Sequence, residues 1–323
     1  MFTLYLVVPC YNEEAVLPET AKRLLDILRE LTAAGRITEE SRILFVNDGS
    51  KDRTWELIRT LHGHDKRFAG LSLSRNRGHQ NALLAGLMLA KDHADAAISL
   101  DADLQDDVGA IERFVAKFEE GCDVVYGVRS SRETDTGFKR NTAHGFYKLM
   151  TLLGVEIVYD HADYRLLSRR ALEALAEYGE RNLFLRGIAP QLGFKTDTVE
   201  YERQVRFAGE SKYPLKKMIA FAFEGITSFS VKPLRFALIL GAAAFLVSLV
   251  ILLYGLIRWI CGMTVTGWTS LLFSIWVLGG LQLLMLGVVG EYVGKTYLET
   301  KRRPRYIISE TLLDETGTIR ESS

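Results

Sequence analysis

Apolar residues fall along this chain in short runs, and each run stops at a polar cluster. Leu4–Val8, Arg42–Val46, Gly70–Leu73, Ala96–Leu100 and Asp123–Tyr126 have strand length and are bounded by turn-forming residues. Helix-period patterns separate them: Val16–Leu31, a helix running to Leu61, and Ala82–Ala90. Strands alternating with helices predict a parallel α/β sheet. Further on, Phe138–Leu153 and Ser168–Tyr178 read as helices.

From Leu234 onward the pattern changes. Phe236–Ile257 carries no charge, and Leu271–Val289 is a second such run, broken only by Gln282. Each is long enough to cross a hydrocarbon core of ~30 Å as a helix, and neither has the polar face of a soluble core helix. Lys216, Lys217, Lys232 and Arg235 precede the first run. Lys295, Lys301, Arg302, Arg303 and Arg305 follow the second, and the connection between them holds only Arg258. The positive-inside bias predicts a two-helix hairpin in an inner or plasma membrane, with both termini and the catalytic domain cytoplasmic. Trp259 and Trp268 sit at the connection, where interfacial aromatics belong. Lysines followed by Met218, Ile219, Phe221, Phe223, Ile226 and Phe229 suit interfacial amphipathic helices before the hairpin. Expected segments are therefore a catalytic domain over 1–212, interfacial helices over 213–233, the hairpin over 234–292 (helices about 234–257 and 270–290) and a tail over 293–323. The end of that tail, Glu310–Ser323, reads as disordered.

Composition narrows the class. The 40 Lys and Arg balance the 40 Asp and Glu, so bulk charge gives no sign of nucleic-acid binding. Cys10, Cys122 and Cys261 form no CxxC or Cys/His cluster, which argues against a zinc site or disulfide framework and fits a reducing compartment. No basic n-region or cleavage site precedes the first strand, so the chain is expected to start in the cytoplasm.

The polar clusters carry the candidate chemistry, and they all follow strand ends, the edge where open α/β sheets bind ligands. The first loop lacks the GxGxxG of a dinucleotide fold. It holds Pro9, Tyr11, Asn12, Glu13 and Glu14 instead, groups able to stack on and hydrogen-bond a nucleobase; Asn12 could equally cap the next helix. Asp48 could accept from base or ribose, or serve an ordinary Asp-Gly-Ser turn. Arg75, Arg77 and Gly78 introduce a helix in a way that suits an anionic ligand. Asp101 and Asp103, spaced one apart after a strand, would leave it on the same side, and oxygen-only donors suit Mg²⁺ or Mn²⁺. Arg206–Tyr213 has the composition of a mobile loop over phosphates. Together the clusters point to a site for a nucleotide and a metal ion.

These residues carry a resemblance. Pro9-x-Tyr-Asn-Glu-Glu14, Asn47-Asp-Gly-Ser-x-Asp-x-Thr54, Ser74-Arg-Asn-x-Gly78, Asp101-Ala-Asp-Leu-Gln105, Tyr126-Gly-Val-Arg129, Asp163-Tyr-Arg165 and Arg206–Tyr213 resemble an inverting family 2 glycosyltransferase of the Rossmann-like GT-A fold. With the hairpin, the chain is similar to polyprenyl-phosphate glycosyltransferases of the dolichyl-phosphate-mannose-synthase and bactoprenol-glucosyltransferase group. One departure is Asn47, where the family often has a second aspartate. The resemblance implies a nucleotide diphosphate sugar as donor, with UDP-glucose favoured, and membrane undecaprenyl phosphate as acceptor. It implies a metal at Asp103 and Gln105 with Asp101 beside it. Nucleotide-sugar contacts would come from Pro9, Tyr11, Asn12, Glu13, Asp48, Arg75, Gly78, Gln80, Arg206 and Lys212. The acceptor phosphate would meet Arg129 and Arg140, with Arg132 and His144 nearby, and Asp163 would contact the sugar. His144 taken alone reads as an ordinary surface or packing histidine. A homo-oligomer stays open. Two alternatives compete: a processive polysaccharide synthase, which would need more spans and a Gln-x-x-Arg-Trp segment that is absent here, and a non-catalytic nucleotide-sugar-binding scaffold, which need not keep these aspartates and arginines.

Overall fold

The computed structural model describes residues 1–129, 161–180, 185–202, 230–262 and 267–313. Two compact units account for the chain. One comprises Met1–His144, Glu156–Tyr213 and Arg303–Ser323; the other comprises Gly145–Val155 and Pro214–Arg302.

The first unit is built on an eight-stranded sheet. Its elements in chain order are β1 (Leu4–Cys10), α1 (Leu17–Ala33), β2 (Arg42–Asn47), α2 (Thr54–His64), β3 (Phe68–Leu73), α3 (His79–His93), β4 (Ala96–Ser99), α4 (Ala110–Glu119), β5 (Val124–Arg129), β6 (His161–Ser168), α5 (Arg169–Ala176), α6 (Leu185–Gln191) and β7 (Thr196–Tyr201). It is completed by β8 (Ile308–Leu312) after the helices of the second unit. The spatial order is β7-β5-β6-β4-β1-β2-β3-β8. β4, β1, β2 and β3 run parallel, while β6 and β8 enter antiparallel.

Burial explains the strands. All seven residues of β1 are buried, because helices cover both faces, and such strands read as continuous apolar runs. Leu4, Leu6, Val8, Ile43 and Phe45 join one core with Leu17, Leu24, Leu28 and Leu31 of α1, whose apolar stripe has helical period. On the opposite face α3 lies unusually close. A Cβ on Gly86 would come within 2.4 Å of Val7 Cγ1 and 2.6 Å of Val46 Cγ2. Only glycine lets the helix settle there, which brings its first residues, His79 and Gln80, to the carboxyl edge of the sheet.

β6 was legible only as an Asp-Tyr-Arg motif. It pairs antiparallel with β4, with Ser99 opposite Arg165. The pairing stops there, where β4 ends, and Asp163 lies two residues before Arg165 at the same edge of the sheet. The expected helix after Ser168 is α5, and Ser168 Oγ caps it by accepting from the Ala171 N–H at 3.1 Å.

In the second unit, α7 (Lys232–Ile260) and α8 (Trp268–Thr300) enclose the two expected spans. Their 29 and 33 residues correspond to ~43 and ~50 Å at 1.5 Å per residue. Leu238, Ile239, Phe245, Trp276 and Leu283 are all exposed. Both helices are long and apolar enough to cross a membrane. Tyr292 Oη donates to the Ser230 carbonyl, pinning the start of the unit's described part to α8.

One expectation is overturned. Glu310, Thr311 and Leu312, expected to be disordered, form the end of β8 against β3. The exposed edge of β3 supplies the backbone partners that the local sequence does not advertise. The expected helix over 138–153, the loop 203–213 and most of the interfacial segment lie outside the described residues.

Candidate active site

The carboxyl ends of β1, β2, β3 and β4 converge on one edge, and their loops are locked together by side chain to backbone bonds. Asn12 takes a left-handed backbone (φ 56°), which asparagine tolerates better than most residues. Its Oδ1 accepts the Lys51 N–H at 2.8 Å, and its own N–H donates to Ser50 Oγ at 3.0 Å. Asn12 therefore bridges the first and second loops and does not cap α1, which starts at Leu17. Glu13 N–H donates to Thr54 Oγ1 at 2.9 Å, and Glu14 accepts the Arg53 N–H at 3.0 Å. Tyr11 stays exposed on top, whereas Pro9 is buried within β1 opposite Val46.

The second and third loops are held by Asn47, Asp48 and Gly49. Asn47 Oδ1 accepts the Ser50 N–H and Nδ2 donates to Ser72 Oγ, both at 3.0 Å. The amide thus uses its donor to tie β2 to β3 and its acceptor to close the turn at Ser50, a combination that accounts for asparagine at this position. Asp48, 2% exposed, accepts the N–H groups of Arg77 at 2.6 Å and Gly78 at 2.8 Å. Burial outweighs these two amides and raises its carboxyl above the ordinary value. Gly49 (φ +62°) leaves no room for a side chain, since a Cβ would meet the Arg75 and Asn76 backbone at 2.5 Å. Asp48 is thus the keystone of the Arg75–Gly78 loop, and Arg75 projects from that loop exposed.

Beyond β4 the chain turns rather than continuing extended: β4 ends at Ser99 and Leu104 has φ 57°. Asp103, 8% exposed, accepts the Gln105 N–H at 3.1 Å. Asp101 keeps 40% of its side-chain surface exposed. Loss of hydration among the neighbouring groups pushes its carboxyl up to about 6. The His79 ring opposes that shift, and Asp106, Asp163 and Asp103 reinforce it. His79 Nε2 lies 3.5 Å from Asp101 Oδ1 and 3.6 Å from Asp163 Oδ2. Asp163 also accepts from Gln80 Nε2 at 3.4 Å and from the Arg165 guanidinium at 2.6 Å. Arg165 is 2% exposed and donates as well to the Leu185 carbonyl at 2.9 Å. Gln80 Oε1 closes the circuit by accepting the Leu185 N–H at 3.1 Å.

The structure therefore brings Asp101 and Asp163 to His79, a residue the sequence reading did not single out, and Gln80 to Asp163. A lone histidine carries little signal, and its place at the first turn of α3 after Gly78 was the available clue. Asp106 was also missed: it accepts from Tyr201 Oη at 2.6 Å and so joins the Asp103 loop to the end of β7. Among the described residues no group of three His, Cys, Asp or Glu could hold a metal alone. Arg129 ends β5 opposite Tyr201. Arg132, Arg140, His144, Arg206 and Lys212 lie outside the described residues.

Comparison with known proteins follows this geometry. Residues 5–176 match the family model for glycosyl transferase family 2. The chain is 54% identical over 312 residues to the uncharacterized glycosyltransferase YkoT of Bacillus subtilis, covering 97% of this chain and 93% of that one. It is 44% identical to the prophage bactoprenol glucosyl transferase homolog of Escherichia coli, covering 94% and 97% of the two chains. It is 43% identical to the bactoprenol glucosyl transferase of Shigella phage SfX, with the same coverage. Among solved structures, a glucosyl-3-phosphoglycerate synthase from Mycobacterium tuberculosis aligns over 70% of this chain and 76% of that chain, at TM-score 0.45 and 16% identity. The mostly parallel, mixed sheet is the GT-A-like α/β arrangement that the motifs implied, and the chain belongs to glycosyl transferase family 2.

Proposed function

We infer that this enzyme transfers glucose from UDP-glucose to undecaprenyl phosphate at the cytoplasmic face of a membrane, with inversion at the sugar's anomeric carbon. The observation that carries the reading is the acidic cluster just past the end of β4, where His79 Nε2 lies 3.5 Å from Asp101 and 3.6 Å from Asp163, with Asp103 two residues beyond Asp101. Two curated relatives named bactoprenol glucosyl transferase or its homolog, similar over nearly their whole length, support the acceptor class, and α7 and α8 suit a lipid substrate.

In this reading Tyr11, Glu13 and Asp48 hold or shape the pocket for base and ribose, with Pro9 and Asn12 setting the loop. Arg75, Gly78, Gln80, Arg206 and Lys212 surround the diphosphate and sugar. Asp103 and Gln105, with Asp101 beside them, fit a Mg²⁺ or Mn²⁺ ion in donor chemistry. Two carboxylates and an amide, completed by substrate phosphates, are how such hard cations are commonly held. Loss of hydration is the main reason the Asp101 carboxyl is raised, with Asp106, Asp163 and Asp103 adding to it, and a cation would offset the charge of these carboxylates. When bound, the ion neutralises the departing diphosphate.

The acceptor needs little help from a base. A phosphate monoester has a second pKa near 6, so it is largely a dianion at neutral pH. Its oxygen attacks the anomeric carbon as the bond to the UDP oxygen breaks. Arg129, Arg140, Arg132 and His144 grip that phosphate, and positioning dominates the rate. Asp163, held by Arg165, meets a sugar hydroxyl.

The test incubates membranes carrying the protein with a panel of labelled nucleotide sugars and undecaprenyl phosphate. We expect a monoglucosylated lipid phosphate from UDP-glucose. Polymer would favour a processive synthase. No labelled product from any donor would leave the scaffold reading.

A further inference from the structure

We propose that β8, the strand contributed by the segment after α8, is a positioning element for the donor-binding loop Ser74–Gly78. This rests on the nucleotide-sugar reading above and adds a residue set that reading does not use.

The contacts form a continuous path. β8 runs antiparallel to β3, pairing Leu312 with Gly70 and Ile308 with Leu73 across an irregularity between Ser72 and Leu73. At that irregularity two further bonds fasten the strands: Ser309 Oγ donates to the Ser72 carbonyl at 3.0 Å, and the Ser74 N–H donates to the Ile307 carbonyl at 2.9 Å. Ser74 is where the loop leaves the sheet. Three and four residues on, the loop delivers the Arg77 and Gly78 N–H groups to Asp48, while the Arg75–Asn76 peptide rests against Gly49. Asp48 thus fixes the far end of the loop and β8 fixes the near end.

The other side of β8 is fastened to α2. Glu310 accepts from Trp55 Nε1 at 3.2 Å and from the Arg59 guanidinium, and Leu312 approaches Gly70 closely enough that a Cβ there would meet its Cδ1 at 3.0 Å. Upstream, Arg305 donates to the Tyr178 carbonyl after α5. A strand that only covered an edge would need the ladder bonds alone. This one adds side-chain anchors at both ends and a bond to the first residue of the loop. A shift of β8 along β3 would carry Ser74 with it and detune the amides that Asp48 collects.

Two variants of the full chain separate positioning from mere stability. One ends the chain after Arg302, deleting β8. The other, Ser309→Ala/Glu310→Gln/Leu312→Ala, keeps the backbone ladder and loosens the anchors. Hydrogen exchange of the Arg77 and Gly78 amides, which needs no substrate, should accelerate at least tenfold in the truncated chain and threefold in the triple variant, with β1 and β4 amides unchanged. In steady-state transfer, the KM for UDP-glucose should rise by similar factors while the KM for undecaprenyl phosphate moves less than twofold. If truncation prevents folding, the triple variant decides. Unchanged loop exchange, or donor and acceptor KM values rising together, overturns the proposal. Absence of transfer by the unaltered chain would count against the proposed reaction instead, and the exchange data would still judge the strand.

Discussion

The Asp163–Arg165 pair offers the sharpest test of how the site is held. Two residues apart on β6, the side chains share a face, and both are nearly excluded from water, at 6% and 2% exposed. Their contact is 2.6 Å, and the guanidinium also serves the Leu185 carbonyl. Arg165→Met keeps much of the volume and removes the charge. Removing one partner of a buried ion pair costs ~3–5 kcal/mol, and Asp163 would keep the longer contacts to Gln80 and His79. The loss is a large share of the ~5–15 kcal/mol that holds a domain together. With a urea slope of ~2 kcal/mol/M, the midpoint should fall by ~2 M. Asp163→Asn/Arg165→Met removes both charges and should recover at least half of the loss, giving a coupling energy of ~2 kcal/mol or more. Pulse proteolysis of the detergent-solubilised full chain in urea follows the catalytic unit. A loss under ~1 kcal/mol for Arg165→Met, or strictly additive effects, would refute the buried-pair account.

Three further outcomes follow from the site. Asp48→Asn leaves one of the Arg77 and Gly78 amides without a full acceptor, so stability should fall by ~1–3 kcal/mol and the KM for UDP-glucose should rise, both read on the purified chain. Arg129→Ala should raise the KM for lipid phosphate at least tenfold and leave the donor value nearly unchanged; a shift in the donor value alone would misplace this arginine. The Asp101 carboxyl, at about 6 in the metal-free protein, holds its proton more tightly when folded than when unfolded, so its contribution to stability improves as pH falls through 6. Cation binding works in the opposite direction, because the proton must leave. Manganese affinity by electron paramagnetic resonance should therefore drop ~10-fold from pH 7.5 to pH 5, as one-proton linkage requires, and a flat profile would exclude Asp101 from the ion's surroundings.

Much of this architecture could be read from residue pattern. The runs ending at Val8, Val46, Leu73 and Leu100 became β1 to β4 within a residue or two, because strands buried on both faces leave unbroken apolar stretches. The polar clusters after them did converge, as parallel topology demands. Long-range pairing was harder to see. Asp163 was visible as a motif, but its place beside His79 with Asp101 depends on β6 running antiparallel beside β4, which no local period encodes. Ile308–Leu312 has only two apolar side chains in five residues, and its order comes from β3 and α2. Asn12 and Asp48 drew attention as ligand groups, yet each spends its oxygens on neighbouring loops; a carboxylate that builds a site and one that touches substrate look alike in sequence.

The most direct test of the central claim measures lipid product from the purified full chain, given UDP-glucose and undecaprenyl phosphate, with Mn²⁺ or with chelator, beside Asp103→Ala. The account predicts glucosyl lipid phosphate only with the cation, and at least a hundredfold less from the variant although it remains folded. Near-normal, cation-independent transfer by Asp103→Ala would contradict it.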